Sequence, residues 1–165
     1  MRIATAHLDL IPLTARDADD LFPVLDDPGL GRFTGEAPPD GVEELRERFA
    51  VWSARRSPDG GELWLNWAVR RRVDGRALGY AQATVGDDGA AVAWVVGTAF
   101  QRQGIATEAA TALIGWLRAA LGVTVIRAMI HPDHVASRTV AARIGLRPTD
   151  GWLDGEVVWT DDPEA

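Results

Sequence analysis

Gln101-Arg102-Gln103-Gly104-Ile105-Ala106-Thr107-Glu108 stands between two segments of opposite periodicity. Upstream, Ala91-Val92-Ala93-Trp94-Val95-Val96 is apolar and β-prone, while downstream Ile105, Ala109, Leu113, Trp116, Leu117 and Leu121 recur at helical spacing. The segment therefore reads as strand, short loop, helix, with the loop against the helix N-terminus. There the first backbone N–H groups lack intrahelical partners and carry partial positive charge. Gly104 and Ala106 remove side-chain bulk, so an anion can approach those donors closely. The pattern describes a seat for a pyrophosphate, or, read more plainly, a glycine that permits a tight strand-to-helix turn.

A P-loop would close on Gly-Lys-Ser/Thr, yet all 17 basic residues are arginine, and the dinucleotide fingerprint Gly-x-Gly-x-x-Gly is missing from this loop. What remains, Gln101-x-x-Gly104-x-Ala106 after a strand, resembles the acyl-CoA loop of the GNAT superfamily of N-acetyltransferases.

Working outward, Leu8 to Leu13 alternates as a first strand, and Thr14-Ala15-Arg16-Asp17 reads as a capping box opening a helix to about Leu25, which Pro23 would shorten. Val42, Leu45, Phe49 and Trp52 form the stripe of a second helix. Three strands are expected at Leu63–Arg70, Ala77–Val85 and Ala91–Val96, with turns at Asp74-Gly75 and Gly86–Gly89. After the third helix, Gly122 is its stop, Val123–Ile130 a buried strand, Val135–Ile144 a short helix and Leu146–Thr160 a hairpin about Asp154-Gly155. This order matches the GNAT fold over nearly the whole chain. The resemblance implies one α/β (α+β) domain over residues 1–165, with a single mixed, mostly antiparallel sheet of about seven strands flanked by about four helices.

A second match lies at His131 to Leu146. It is similar to the branch typified by ribosomal-protein-alanine acetyltransferases (RimJ/RimL-like), where Asn-x-x-Ser opens a helix that ends in Gly-Phe. Ser137 fits the serine, Gly145-Leu146 the Gly-Phe, and His134 stands where the asparagine would be. Many other GNAT members carry a tyrosine acid in this helix; here that position is Ala141, and the one tyrosine, Tyr80, lies on another element.

Composition is compatible. At 165 residues, 47% hydrophobic and 25% charged, the chain can bury a single core. Without cysteine it has neither disulfides nor thiolate chemistry, and no metal is expected from His131, Asp133 and His134 alone. A net charge of −7 argues against a nucleic-acid surface and suits either a cationic substrate or solubility. No apolar run has membrane-spanning length, and Met1–Thr5 shows no signal-peptide core, so the expectation is a soluble, cytoplasmic protein without membrane partners.

The resemblance implies acetyl-CoA as acyl donor. Backbone N–H groups of Gln103, Gly104, Ile105, Ala106 and Thr107 would hold its pyrophosphate, with Gln101 in the same loop and Arg102 adding charge. A backbone N–H at Val95 or Val96, where the strand splays from its neighbour, would polarise the acetyl carbonyl. Ser137 is the candidate catalytic residue, donating to the departing sulfur, or else a helix serine bonded to its own backbone. His134 would contact pantetheine, titrate near neutrality, or face solvent. No base is apparent: Ala91 stands where related enzymes often carry a glutamate, and Glu36, Asp154 and Glu156 are loop carboxylates bordering the acceptor pocket or simply solvated. Trp52, Trp64, Trp67 and Trp94 line that pocket or the core, and Arg70–Arg72 with Arg76 meet a phosphate or solvent. The Phe33–Ala37 loop and the Leu153–Val157 turn would shape the acceptor site, by analogy.

The expected function is transfer of acetyl from acetyl-CoA directly to a primary amine, on a protein N-terminus or a small molecule, with a homodimer as an open assembly. A non-catalytic acyl-CoA-binding sensor or partner-binding domain is the alternative, favoured by Ala141 and Ala91.

Overall fold

The computed structural model describes residues 1–33 and 37–165; Glu36 and the centre of the expected 33–37 loop lie outside the described residues. Eight strands form one sheet: β1 (Ile3–Ala4), β2 (Leu8–Pro12), β3 (Leu63–Arg71), β4 (Ala77–Gly86), β5 (Gly89–Val96), β6 (Ile126–Ile130), β7 (Arg147–Leu153) and β8 (Glu156–Thr160). Their spatial order is β1-β2-β3-β4-β5-β6-β8-β7. Every neighbouring pair is antiparallel except β5 and β6, which run parallel. The strand beyond the expected seven is β1, whose two residues are too short to show a period.

Among the described residues four α-helices accompany the sheet: α1 (Ala18–Leu25), α2 (Val42–Trp52), α3 (Ile105–Leu121) and α4 (Val135–Arg143). At the start of α1 the Thr14 N–H donates to the Asp17 carboxylate (2.8 Å) in the expected capping box, across a 3-10 turn at Ala15–Asp17. Pro23 sits inside α1 without shortening it. In α3 the expected stripe is buried at Ala109, Leu113 and Leu117 and extends to Ala110 and Ile114, whereas Leu121 is exposed at the C-terminal end, where Gly122 caps the helix.

Alternation along the strands divides the core between the two faces of the sheet. Leu8, Leu10, Leu65, Trp67, Ala81 and Val92 face α3. Ala68, Ala77 and Tyr80 face α1 and α2, against Leu21, Leu45 and Phe49. Complete burial of Trp67 and of each leucine contributes about 2–3 kcal/mol to holding these layers together.

Gly79 fixes the approach of β4 to β5. A Cβ there would lie 1.9 Å from the Val95 carbonyl oxygen, so only glycine lets the strands close at this point.

Candidate functional site

The pairing of β5 decides where a ligand can enter. Along its β4 edge it is laddered from Gly86↔Gly89 to Gly79↔Val96. Along its β6 edge pairing holds only at Ala90↔Ile126 and Ala91↔Arg127, and the strands then part. Antiparallel pairs alternate between bonded and non-bonded. The Gly97 N–H donates to the Leu78 carbonyl (2.9 Å), so the same alternation directs Val95 N–H toward β4 and Val96 N–H into the gap. Of the two expected oxyanion donors, the register turns Val96 to the open side; Val95 lines the site with its side chain. The Gln101 Nε2 donates to the Val96 carbonyl (3.0 Å) and ties the loop to the strand end.

A cavity of about 1050 Å³ runs through this gap and opens on both faces of the sheet. On the α3 face it is lined by Trp94, Phe100, Gln101, Arg102, Gly104 and the first residues of α3; on the α1/α2 face by Trp52, Tyr80, Gln82, Ala93 and Val95. Gln103 is not among its lining residues; its side chain is directed back to the Ala99 carbonyl (3.4 Å).

Gly104 precedes α3 with φ +80°, and nothing lies within 4 Å of the position a Cβ would occupy, so the approach to the helix end is open. Arg102 also adopts a positive φ, 64°. The first intrahelical bond runs from Glu108 N–H to the Gly104 carbonyl (2.9 Å), which leaves the N–H groups of Ile105, Ala106 and Thr107 directed out of the helix end. Glu108 is turned away from the cavity. It accepts from Thr5 Oγ1 (2.5 Å), His7 N–H (2.9 Å) and the His7 ring (3.1 Å). Partial burial works against its charge, but these bonds outweigh it and lower its pKa.

The far wall is β6, the turn after it and α4. His134 is the N-cap of α4, but its ring makes no capping bond and stacks on Phe33 at 4.4 Å and 20°. It does not face open solvent. Burial, with nearby His131, lowers its pKa, so at neutral pH it is an uncharged lining group. Ser137, in the first turn of α4, is half-buried and lines the cavity, and its hydroxyl forms no hydrogen bond to the helix backbone among the described residues. Ala141 is the fully buried residue of α4, facing the core.

The carboxylate that sequence reasoning could not single out is Glu156. It opens β8, half-buried on the cavity wall. The pairing of Ile130 with Val157 brings His131 beside it in the next cross-strand position. Burial raises the Glu156 pKa; His131 pulls it partly back and Asp154 adds to the rise. Asp154 itself is exposed in the hairpin turn. Arg48 and Gln82 also line the cavity, although their sequence neighbourhoods carry no motif; so do His131, at the start of the second matched segment, and Phe33, at the start of the expected acceptor loop.

Other expected features resolve into structure. Trp67 is core, Trp52 and Trp94 line the cavity, and Trp64 donates to Glu62 (3.0 Å). Arg70 pairs with Asp17 and Asp20, Arg71 with Asp74, and Arg76 lies over Phe100. Among the described residues, no helix is long and apolar enough to cross a membrane, and no cluster of three or more histidine or acidic side chains is placed to hold a metal ion.

The acetyltransferase (GNAT) domain family matches residues 7–147. This chain belongs to the GNAT family. Solved structures of the same fold include the RimL ribosomal L7/L12 alpha-N-protein acetyltransferase in complex with coenzyme A, at 16% identity over 97% of each chain and a TM-score of 0.80. Mycobacterium smegmatis RimJ, with a CoA-disulfide, is 21% identical over 93% of this chain and 80% of its own, with a TM-score of 0.76. The aminoglycoside acetyltransferase AAC(6')-Ib with coenzyme A is 18% identical over 95% of each chain, at 0.73. No curated protein sequence matches this GNAT chain.

Proposed function

We propose that this chain is an acetyl-CoA-dependent N-acetyltransferase acting on a primary amine. The observation that carries the reading is the cavity through the sheet, with backbone donors at one end and the Glu156 carboxylate on its far wall. The donor end fits a CoA pyrophosphate: Ile105, Ala106 and Thr107 offer outward N–H groups at the positive end of a 17-residue helix, and Gly104 leaves their approach clear. Acetyl-CoA supplies the acetyl thioester. CoA bound to the RimL, RimJ and AAC(6')-Ib structures supports this choice of donor.

The chain's own groups have three tasks. Val96 N–H, fixed by the β4–β5 register, holds the oxygen on which negative charge builds. Glu156 removes the ammonium proton, directly or through water. An amine near pKa 10.4 is only about one part in a few thousand neutral at pH 7, and a carboxylate whose pKa is raised is the better matched acceptor. Ser137 Oγ, without a backbone partner among the described residues, donates toward the sulfur as it leaves. The reaction is single displacement: N–C forms, C–S breaks, and the amine proton leaves by way of Glu156.

Purified protein incubated with acetyl-CoA and an amine panel should release CoA and yield acetylated amine by mass spectrometry, more slowly in Ser137→Ala. Acetyl-CoA at 100 times its Kd should raise the melting temperature by about 8 °C. That shift with no acetylated product would overturn the reading and leave a non-catalytic acyl-CoA-binding domain.

A further inference from the structure

On the α1/α2 face the cavity has a wall no motif announced. The rings of Phe49, Trp52 and Tyr80 touch in succession, with centroids 5.5 Å apart for the first pair and 5.4 Å for the second, the latter edge-on at 62°. Beside them runs a chain of amides. Gln82 Nε2 donates to Asn66 Oδ1 (2.7 Å), and Asn66 Nδ2 donates to the Trp52 carbonyl (3.2 Å). Asn66 is 9% exposed, so this chain is held from within the protein. It fixes the Gln82 amide with its nitrogen inward, level with Ala93 across the β4–β5 ladder.

Charge on this wall is already compensated. Its one described carboxylate, Asp27, accepts from Thr98 Oγ1 (2.5 Å) and Gly29 N–H (2.8 Å), and Arg48 pairs with Glu44 at 2.8 Å. Among the described residues this wall offers an acceptor with several ammonium groups no row of free carboxylates, and burying unpaired charge is costly. An acceptor with a single ammonium, directed at Glu156, and an apolar body would find aromatic faces and one amide oxygen.

We infer that the acceptor is a monocationic primary amine whose neighbouring group is aromatic or large and aliphatic. Trp52 holds that group, and the Gln82 amide oxygen receives an N–H of the acceptor and positions it. This inference rests on the amine-acetylation reading above and narrows it. The same chemistry occurs in an arylalkylamine and in a peptide beginning with an apolar residue.

The test measures kcat and KM with acetyl-CoA for phenethylamine, a phenylalanyl dipeptide amide, ethanolamine and kanamycin. Both phenyl-bearing acceptors should exceed both polar ones by about tenfold or more in kcat/KM. Trp52→Ala should collapse that ratio. Gln82→Leu should raise KM for the phenyl-bearing acceptors about tenfold while leaving kcat within a few-fold of wild type. A melting shift with acetyl-CoA retained in each variant establishes that it is folded. Preference for the peptide identifies a protein N-terminus as the source, and preference for phenethylamine a small molecule; either supports the inference. Kanamycin favoured over the phenyl-bearing acceptors, or a Trp52→Ala loss equal for all four, would overturn it while leaving amine acetylation intact. No product from any amine would overturn both.

Discussion

The two ends of the cavity are built from different materials. At the α3 end the groups proposed to recognise the donor are backbone N–H donors of three consecutive residues, placed by one glycine and by the helix that follows. At the proposed acceptor end they are side chains from β4, α2 and β8, with Asn66 of β3 bracing Gln82 from behind, brought together only when the sheet is complete. A backbone seat depends on conformation and tolerates side-chain change. A side-chain site depends on each group and on the pairing that delivers it. Loss at one end should therefore appear as weaker donor binding, and loss at the other as slower transfer with donor binding unchanged.

Glu156→Gln gives the largest expected separation. Removing a positioned base lowers turnover by about 10²–10⁴-fold, while the acetyl-CoA melting shift should stay at the wild-type value. In the wild type, transfer rises with pH as Glu156 ionises, with a midpoint above the ordinary carboxylate value of 4.5; the variant should lack that limb. Burial raises the folded pKa, so the charged form is a liability to folding that grows as pH rises above the unfolded value. The variant should thus melt no lower than wild type at pH 7. A melting temperature several degrees lower, with the rate loss shared by acetyl-CoA binding, would make Glu156 a structural residue and erase the contrast between the ends.

The same contrast explains what the sequence disclosed. The strand, loop and α3 were legible because their determinants lie within about thirty residues of each other and repeat with period 2 or 3.6. The acceptor end was not. Glu156 meets His131 only through the β6–β8 register, and Gln82 meets Asn66 only through β3–β4 pairing. Val96 and Val95 are equivalent as letters; the ladder alone says which N–H faces the gap. His134 stands at the motif's asparagine position, yet its partner Phe33 lies far away in the sequence, so its uncharged, stacked state had no local signal.

Gly104→Val probes the backbone end with a smaller effect. A β-branched residue at φ +80° costs about 1–2 kcal/mol, and the loop would relax by reorienting the donors it presents. Acetyl-CoA affinity, measured by calorimetry, should fall about tenfold, with kcat at saturating donor close to wild type. An equal fall in kcat would mean that the loop also sets the position of the reacting carbon, and the two ends would not be separable.

The smallest expected effect asks whether the backbone seat is as local as its sequence. Glu108 stands one turn into α3, outside the cavity lining, and holds Thr5 and His7 across more than a hundred residues. Its folded pKa is lowered, so the stability it contributes is present above the unfolded value near 4.5 and is lost as pH falls through the folded one. Glu108→Gln should cost about 1 kcal/mol at pH 7 and flatten the decline of melting temperature below pH 4.5. If the helix end is organised by Gly104 and the α3 backbone alone, acetyl-CoA affinity should change by less than about twofold, because the three N–H donors keep their positions. A tenfold loss would show that the N-terminal strands brace the seat through Glu108. The end that reads as a local motif would then depend, like the other, on contacts made across the whole chain.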